Sequence, residues 1–192
     1  MPASGKRMPI RGVAALIHRL PDSALGCAQH AHLREAEGQP LVRVIIEVPR
    51  WSFLKRGSTG RLDFLSPLPC PYNYGSVPGW LGLEGDLLDA VVLGPRLARG
   101  TLVQVRAFGA VGLLDRGLYD DKLICSVAPI TPARQARLLT FFRFYGRCKA
   151  LLNLWRGRRG RTACVGWCSA QEAIARAQPI PGKAWRGPEI PF

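Results

Sequence analysis

Leu87-Leu88-Asp89-Ala90-Val91-Val92-Leu93 is an apolar, β-branched run halted by Gly94-Pro95. Branched side chains fit a pleated sheet, and a Gly-Pro pair cannot continue one, so the run reads as a strand. Working outward, Gly100 opens Thr101–Ala107, where Leu102, Val103 and Val105 are set against Gln104 and Arg106. Ala110–Leu114 and Lys122–Val127 follow as short strands, and Leu41–Val48, ended by Pro49, precedes them all. About five strands with tight turns predict a small closed OB-like β-barrel. Trp51–Gly60 reads as a polar loop or hairpin, and Ser66–Gly79, dense in Pro, Tyr and Gly, as an extended, turning segment. After Pro129 the apolar period becomes helical across Pro132–Leu152, through Leu138, Phe141, Phe142, Tyr145 and Leu151. Ser169–Ala177 forms a second helix, with Ser169 as N-cap and Glu172 completing a capping box. The expected class is α+β, a five-stranded barrel flanked by two or more C-terminal helices.

With 192 residues, 47% of them apolar, the chain can bury one domain's core. The expected division is a flexible extension over 1–40, the domain over 41–180 and an irregular tail over 181–192. No apolar run reaches about 18 residues, so no transmembrane helix is expected. In the extension, Lys6, Arg7 and Arg11 precede Gly12–Ile17, but His18, Arg19, Pro21 and Asp22 cut that stretch short of a secretory core. A cytoplasmic protein is expected, with Cys27, Cys70, Cys125, Cys148, Cys164 and Cys168 as free thiols. Cys164 and Cys168 lack the spacing of a zinc-binding pair.

The charge distribution points to chemistry. Lys+Arg total 27 against 13 Asp+Glu, a net charge of +14. Six of those 13 acids, Glu84, Asp86, Asp89, Asp115, Asp120 and Asp121, nevertheless fall in one short stretch. Carboxylates gathered together repel unless a cation sits among them. Oxygen ligands favour hard ions, which here means Mg²⁺, Mn²⁺ or Ca²⁺. Gly85 permits a tight turn that lets Glu84, Asp86 and Asp89 converge. A hairpin would bring Asp115 and Asp120 to its mouth, although Asp and Gly also populate ordinary turns.

Between Glu47 and Val127 the chain resembles the soluble family I inorganic pyrophosphatases. Glu47-Val48-Pro49 followed by Lys55 resembles the family's opening strand and phosphate lysine. Pro71-Tyr72-Asn73-Tyr74-Gly75-Ser76-Val77-Pro78-Gly79 resembles its tyrosine-glycine turn. Glu84-Gly85-Asp86-Leu87-Leu88-Asp89 resembles its signature of spaced aspartates. Asp115, Asp120 and Lys122 match its next acidic spacing. Phe141-Phe142-Arg143-Phe144-Tyr145 and Val165-Gly166-Trp167 resemble C-terminal elements. The resemblance implies pyrophosphate as substrate, Mg²⁺ as cofactor with Mn²⁺ as the second choice, and a homo-oligomer. It implies Glu84, Asp89, Asp115, Asp120 and Glu47 as metal ligands and Asp86 as the base for the attacking water. Lys55, Tyr74, Lys122 and Tyr145 would bind phosphate.

The sequence departs from the family pattern at Glu84, where an aspartate is usual, and at Gly57, Leu62 or Phe64, Cys70 and Gly146, where charged or tyrosine contacts are usual. These losses define a second reading, an impaired homologue that regulates or binds nucleic acid or an acidic partner. Its surface would be Arg156, Arg158, Arg159 and Arg161, beside Trp155. A solvated loop is the plainer account of that patch, and nucleic acid is not the favoured partner.

Overall fold

The computed structural model describes residues 38–56, 62–65, 69–158 and 160–180. Its frame is a five-stranded barrel. β1 (Leu41–Val48) buries Val42, Val44, Ile46 and Val48 while Leu41 and Arg43 face out. Two strands, β2 (Leu54–Arg56) and β3 (Leu62–Leu65), form a separate hairpin. The barrel continues through β4 (Asn73–Leu81), β5 (Leu87–Val92), β6 (Leu102–Asp115) and β8 (Lys122–Ser126), with the two-residue β7 (Leu118–Tyr119) between the last two. Pairing runs β1–β4–β5–β8–β6 and returns from β6 to β1, which closes the ring and leaves no free barrel edge. Each pair is antiparallel except β5–β8. The closed barrel with flanking helices agrees with the expected α+β class.

Alternate residues on these strands feed two cores, as the two-residue period of a strand requires. Leu88, Ala90 and Val92 join Val44, Ile46, Leu123 and Cys125, and meet Ala170 and Ala173 of the short helix α2 (Ala170–Arg176). Val91 and Leu93 join Val111, Leu113 and Ile124, and meet Leu138 and Phe142 of the long helix α1 (Pro132–Trp155). Burying each such large side chain contributes about 1.5–3 kcal/mol. Asp89, Lys122 and Asp115 share the parity of the second set, so the sheet turns them towards α1. At Gly75 the strands come very close: a Cβ there would stand 1.9 Å from the Ile45 carbonyl oxygen, so only glycine fits.

Both helix starts follow their caps. Thr131 accepts from the Arg134 amide at 3.3 Å, and Pro132 occupies the first turn, where no amide is needed. Ser169 and Glu172 form the expected reciprocal capping box.

The structure corrects several boundaries. Thr101–Ala107 and Ala110–Leu114 are one strand, carried through a register shift between Ala107 and Gly109. Part of the turning segment is β4. The first helix reaches Trp155 instead of ending at Leu152, and the basic loop follows it directly from Arg156. Strands also occur after the first helix: β9 (Ala163–Cys168) pairs with the outer half of β6, and β10 (Gln178–Pro179) pairs with β4. The tail over 181–192 and nearly all of the extension over 1–40 lie outside the described residues.

Candidate active site

Three strands set the site by register. Ser76 on β4 lies opposite Asp89 on β5, and Asp89 lies beside Lys122 on β8. Glu47 falls at a register shift in β1, between Ile46 and Val48, and its carboxylate accepts from the Ser76 hydroxyl at 2.7 Å. Such an irregularity re-aims a side chain without ending the strand. The loop before β5 turns at Gly85, whose φ of 93° suits glycine, and the Gly82 amide donates to the Asp86 carbonyl at 2.7 Å. That turn brings Glu84 back over the strands. One carboxylate oxygen each from Glu84, Asp89 and Asp120 then lie within 4.8 Å of one another.

Two lysines sit among these acids. The Lys122 ammonium donates to both Asp89 and Asp120, and the Tyr74 hydroxyl also donates to Asp89. Lys122 is only 2% exposed, an unusual place for an ammonium unless carboxylates surround it. Lys149 of α1 lies 3.1 Å from Asp115 and 3.0 Å from Asp120, linking the two acids of the hairpin mouth. Asn153 donates to Asp115 at 2.9 Å and to Thr162 at 3.1 Å.

The fields are reflected in the proton affinities. Burial works against ionising Asp120, but Lys122 and Lys149 outweigh it and hold the group well below the usual carboxylate range. Asp115 is lowered too, with Lys149 overcoming the cost of burial. Burial opposes the charge on Lys122, yet Asp120 and Asp89 raise its pKa. Burial, reinforced by Asp89 and Asp120, raises that of Tyr74. Glu84 differs from its neighbours: burial, then Asp120, pushes it up to about 8. Its Oε2 is buried with no hydrogen-bond partner. An orphaned carboxylate oxygen beside two further carboxylates fits a hard divalent cation, which would satisfy all three.

Glu84 carries a pH signature. In the cation-free protein its folded pKa lies above the ordinary 4.5. Below 4.5 it is protonated in both folded and unfolded chains and has no effect. As pH rises from about 5 to about 8 only the unfolded chain ionises, so this group progressively disfavours the fold. Glu84→Gln, neutral throughout, is expected to flatten that decline. Urea midpoints measured across the interval, with chelator present, check it; identical slopes for the two proteins would refute it.

Beside the acids lies a cavity of about 840 Å³. Tyr74, Asp86, Asp115, Arg116, Tyr145 and Lys149 line it. Phe141, packed edge-on to Tyr72 and stacked at 6.4 Å on Tyr145, forms part of its apolar side. Arg156 and Arg158, the described start of the basic loop, also border it.

The structure therefore gathers Glu84, Asp89, Asp120, Lys122 and Tyr74 directly and joins Asp115 through Lys149. Asp86 and Tyr145 face the adjoining cavity, and Glu47 is coupled to the row through Ser76. Lys55 lies on β2, but its side chain is outside the described part. Asp121, in the connection just before β8, turns to α2 instead. Arg176 of α2 pairs with it at 2.7 Å and also stacks over Tyr119. Gly57 is outside the described residues, and Cys70 lines the cavity. Gly146 faces β9 so closely that a Cβ would lie 3.3 Å from the Cys164 amide nitrogen. Sequence reading missed Lys149 and Asn153. Their signal is the spacing Tyr145, Lys149, Asn153, three positions one helical turn apart.

Comparison with known proteins agrees with this geometry. A family profile described as inorganic pyrophosphatase matches residues 44–136. The soluble inorganic pyrophosphatase of Oryza sativa subsp. indica is 31% identical over 166 residues, 73% of this chain and 76% of the relative. The inorganic pyrophosphatase of Gluconobacter oxydans (strain 621H) is 35% identical over 92 residues; that match takes in 44% of this chain and about half, 53%, of the relative. The crystal structure of an inorganic pyrophosphatase from Neisseria gonorrhoeae superposes with a TM-score of 0.58 at 26% identity, covering 73% of this chain and 88% of that one. No helix among the described residues is long and apolar enough to cross a membrane. Sequence, fold and comparison thus converge, and the chain belongs to the inorganic pyrophosphatase family.

Proposed function

We propose that this protein hydrolyses inorganic pyrophosphate to two orthophosphates with a divalent cation, Mg²⁺ first and Mn²⁺ second. The observation that carries the reading is the convergence of Glu84, Asp89 and Asp120 on one point, beside a cavity lined by Asp86, Tyr74 and Tyr145. Glu84, Asp89 and Asp120 would hold a cation, with Asp115 and Glu47 serving further ones. When bound, such an ion supplies charge neutralisation of the substrate and acidification of water.

The chain's own groups do the rest. Asp86 takes the proton from the attacking water as its oxygen bonds to phosphorus. The bond from that phosphorus to the bridging oxygen breaks, and the second orthophosphate leaves. Tyr74, Tyr145, Lys55 and Lys122 supply donors for phosphate oxygens, which spreads the charge that develops on them. Arg156 and Arg158 at the cavity give the anion a basic approach. A cytoplasmic setting and a homo-oligomer belong to the same proposal. Exposed Leu151, Leu154 and Trp155 offer apolar surface for self-association.

The test is orthophosphate release from pyrophosphate by the purified chain with Mg²⁺ and, separately, Mn²⁺. Asp86→Asn is expected to lower kcat by about 10²- to 10⁴-fold, the usual worth of a general base. An unchanged rate would assign the proton to another group. No release by the unaltered protein with either ion would overturn the function.

A further inference from the structure

Among the described side chains, Lys149 is the lysine of the site that faces the cavity. Its side chain is 23% exposed, against 2% for Lys122. Its ammonium lies 3.1 Å from Asp115 and 3.0 Å from Asp120, yet neither acid depends on it for placement. Asn153 and Thr162 hold Asp115, at 2.9 and 3.5 Å, and Lys122 holds Asp120. The ammonium can therefore leave without dismantling what it touches. It stands on a flexible four-carbon stem with three rotatable donors, one helical turn beyond Tyr145.

We propose that Lys149 competes with a divalent cation for Asp115 and Asp120 and, once displaced, binds the phosphate oxygens of the substrate. The inference rests on the hydrolytic reading above. A cation that claims the two carboxylates removes the ammonium's partners and repels it. The same event brings in a dense anion, which attracts it. Lys149 thereby acts as an exchangeable counter-ion that becomes a substrate contact.

Two effects of opposite sign follow. Removing the ammonium ends its competition, so the cation binds more tightly. It also removes a donor, so the diphosphate binds more weakly. A residue that merely held α1 against the barrel would weaken both.

The experiment uses the full chain, stripped of metal with chelator, and Lys149→Met and Lys149→Arg variants. Calorimetry reads Mn²⁺ binding first. It then reads, at saturating Mn²⁺, binding of imidodiphosphate, whose P–N–P bridge resists cleavage. For Lys149→Met the Mn²⁺ Kd should fall about fivefold and the imidodiphosphate Kd rise about tenfold, the scale of one charge-assisted contact. Lys149→Arg should return the second value to within about threefold of the original. If the methionine variant fails to fold, Lys149→Gln, which keeps length and a donor but no charge, should show the same opposed shifts. Parallel weakening of both ligands, or no change in either, overturns the proposal. Unaltered protein that binds both ligands but releases no orthophosphate would instead overturn the hydrolytic function, because the binding measurements require no turnover.

Discussion

Asp120→Asn is expected to lower kcat/KM for pyrophosphate by about 10³-fold, at the upper end of what loss of one preorganised charged group costs. Asp120 touches both lysines and shares the convergence point with Glu84 and Asp89. An asparagine keeps its shape but removes the charge. Two ammonium groups would then face one carboxylate each, Asp89 for Lys122 and Asp115 for Lys149. The fold should survive, because both lysines keep a partner. The site should not, because its net charge has moved one unit against any cation. Mn²⁺ affinity, read by calorimetry, should fall at least about tenfold. Glu84 should also ionise more readily, since Asp120 is the second cause of its raised pKa, after burial. An Asp120→Asn protein with unaltered cation affinity would remove Asp120 from the ligand set.

That Asp89, Asp120 and Lys122 meet is legible from the sequence for a simple reason. Asp89 and Lys122 lie on strands, where a two-residue period and a closed barrel leave few choices of facing side, and Asp120 stands two residues before Lys122 in the connection that enters β8. Asp120 and Asp121, neighbours in that connection, meet different partners: Lys122 and Lys149 for the first, Arg176 for the second. Lys149 and Asn153 obey a different rule. They follow Tyr145 at helical spacing, but polar residues recur at that spacing on any solvated helix face. Which face meets the barrel depends on Leu138 and Phe142 docking onto Val111, Leu113 and Ile124, a tertiary fact. β9 was equally hard to read. Ala163–Cys168 holds two cysteines and Gly166 at a φ of 136°, a poor strand by propensity. It forms because β6 is 14 residues long and offers Ala110–Leu114 as partners beyond its pairing with β1.

Lys122→Met should carry the largest cost in stability. Lys122 is a buried ammonium bonded to two carboxylates and lying 5.8 Å from the centre of the Tyr74 ring. Methionine fills a similar volume, so packing changes little. The electrostatic change is severe, because Asp120 is 4% exposed and keeps only Lys149, while Asp89 keeps no other ammonium among the described residues. Breaking a buried ion pair from one side costs about 3–5 kcal/mol, since the surviving charge keeps its desolvation penalty. Urea unfolding in chelator should show a loss of that order. A divalent cation held by Glu84, Asp89 and Asp120 would occupy the gap in charge that the substitution leaves. Saturating Mn²⁺ should therefore stabilise Lys122→Met more than it stabilises the unaltered protein, because binding linked to folding adds to stability in proportion to the logarithm of affinity. If Mn²⁺ raises both midpoints equally, Lys122 and the cation do not share the same carboxylates, and the ligand set proposed for this site is wrong.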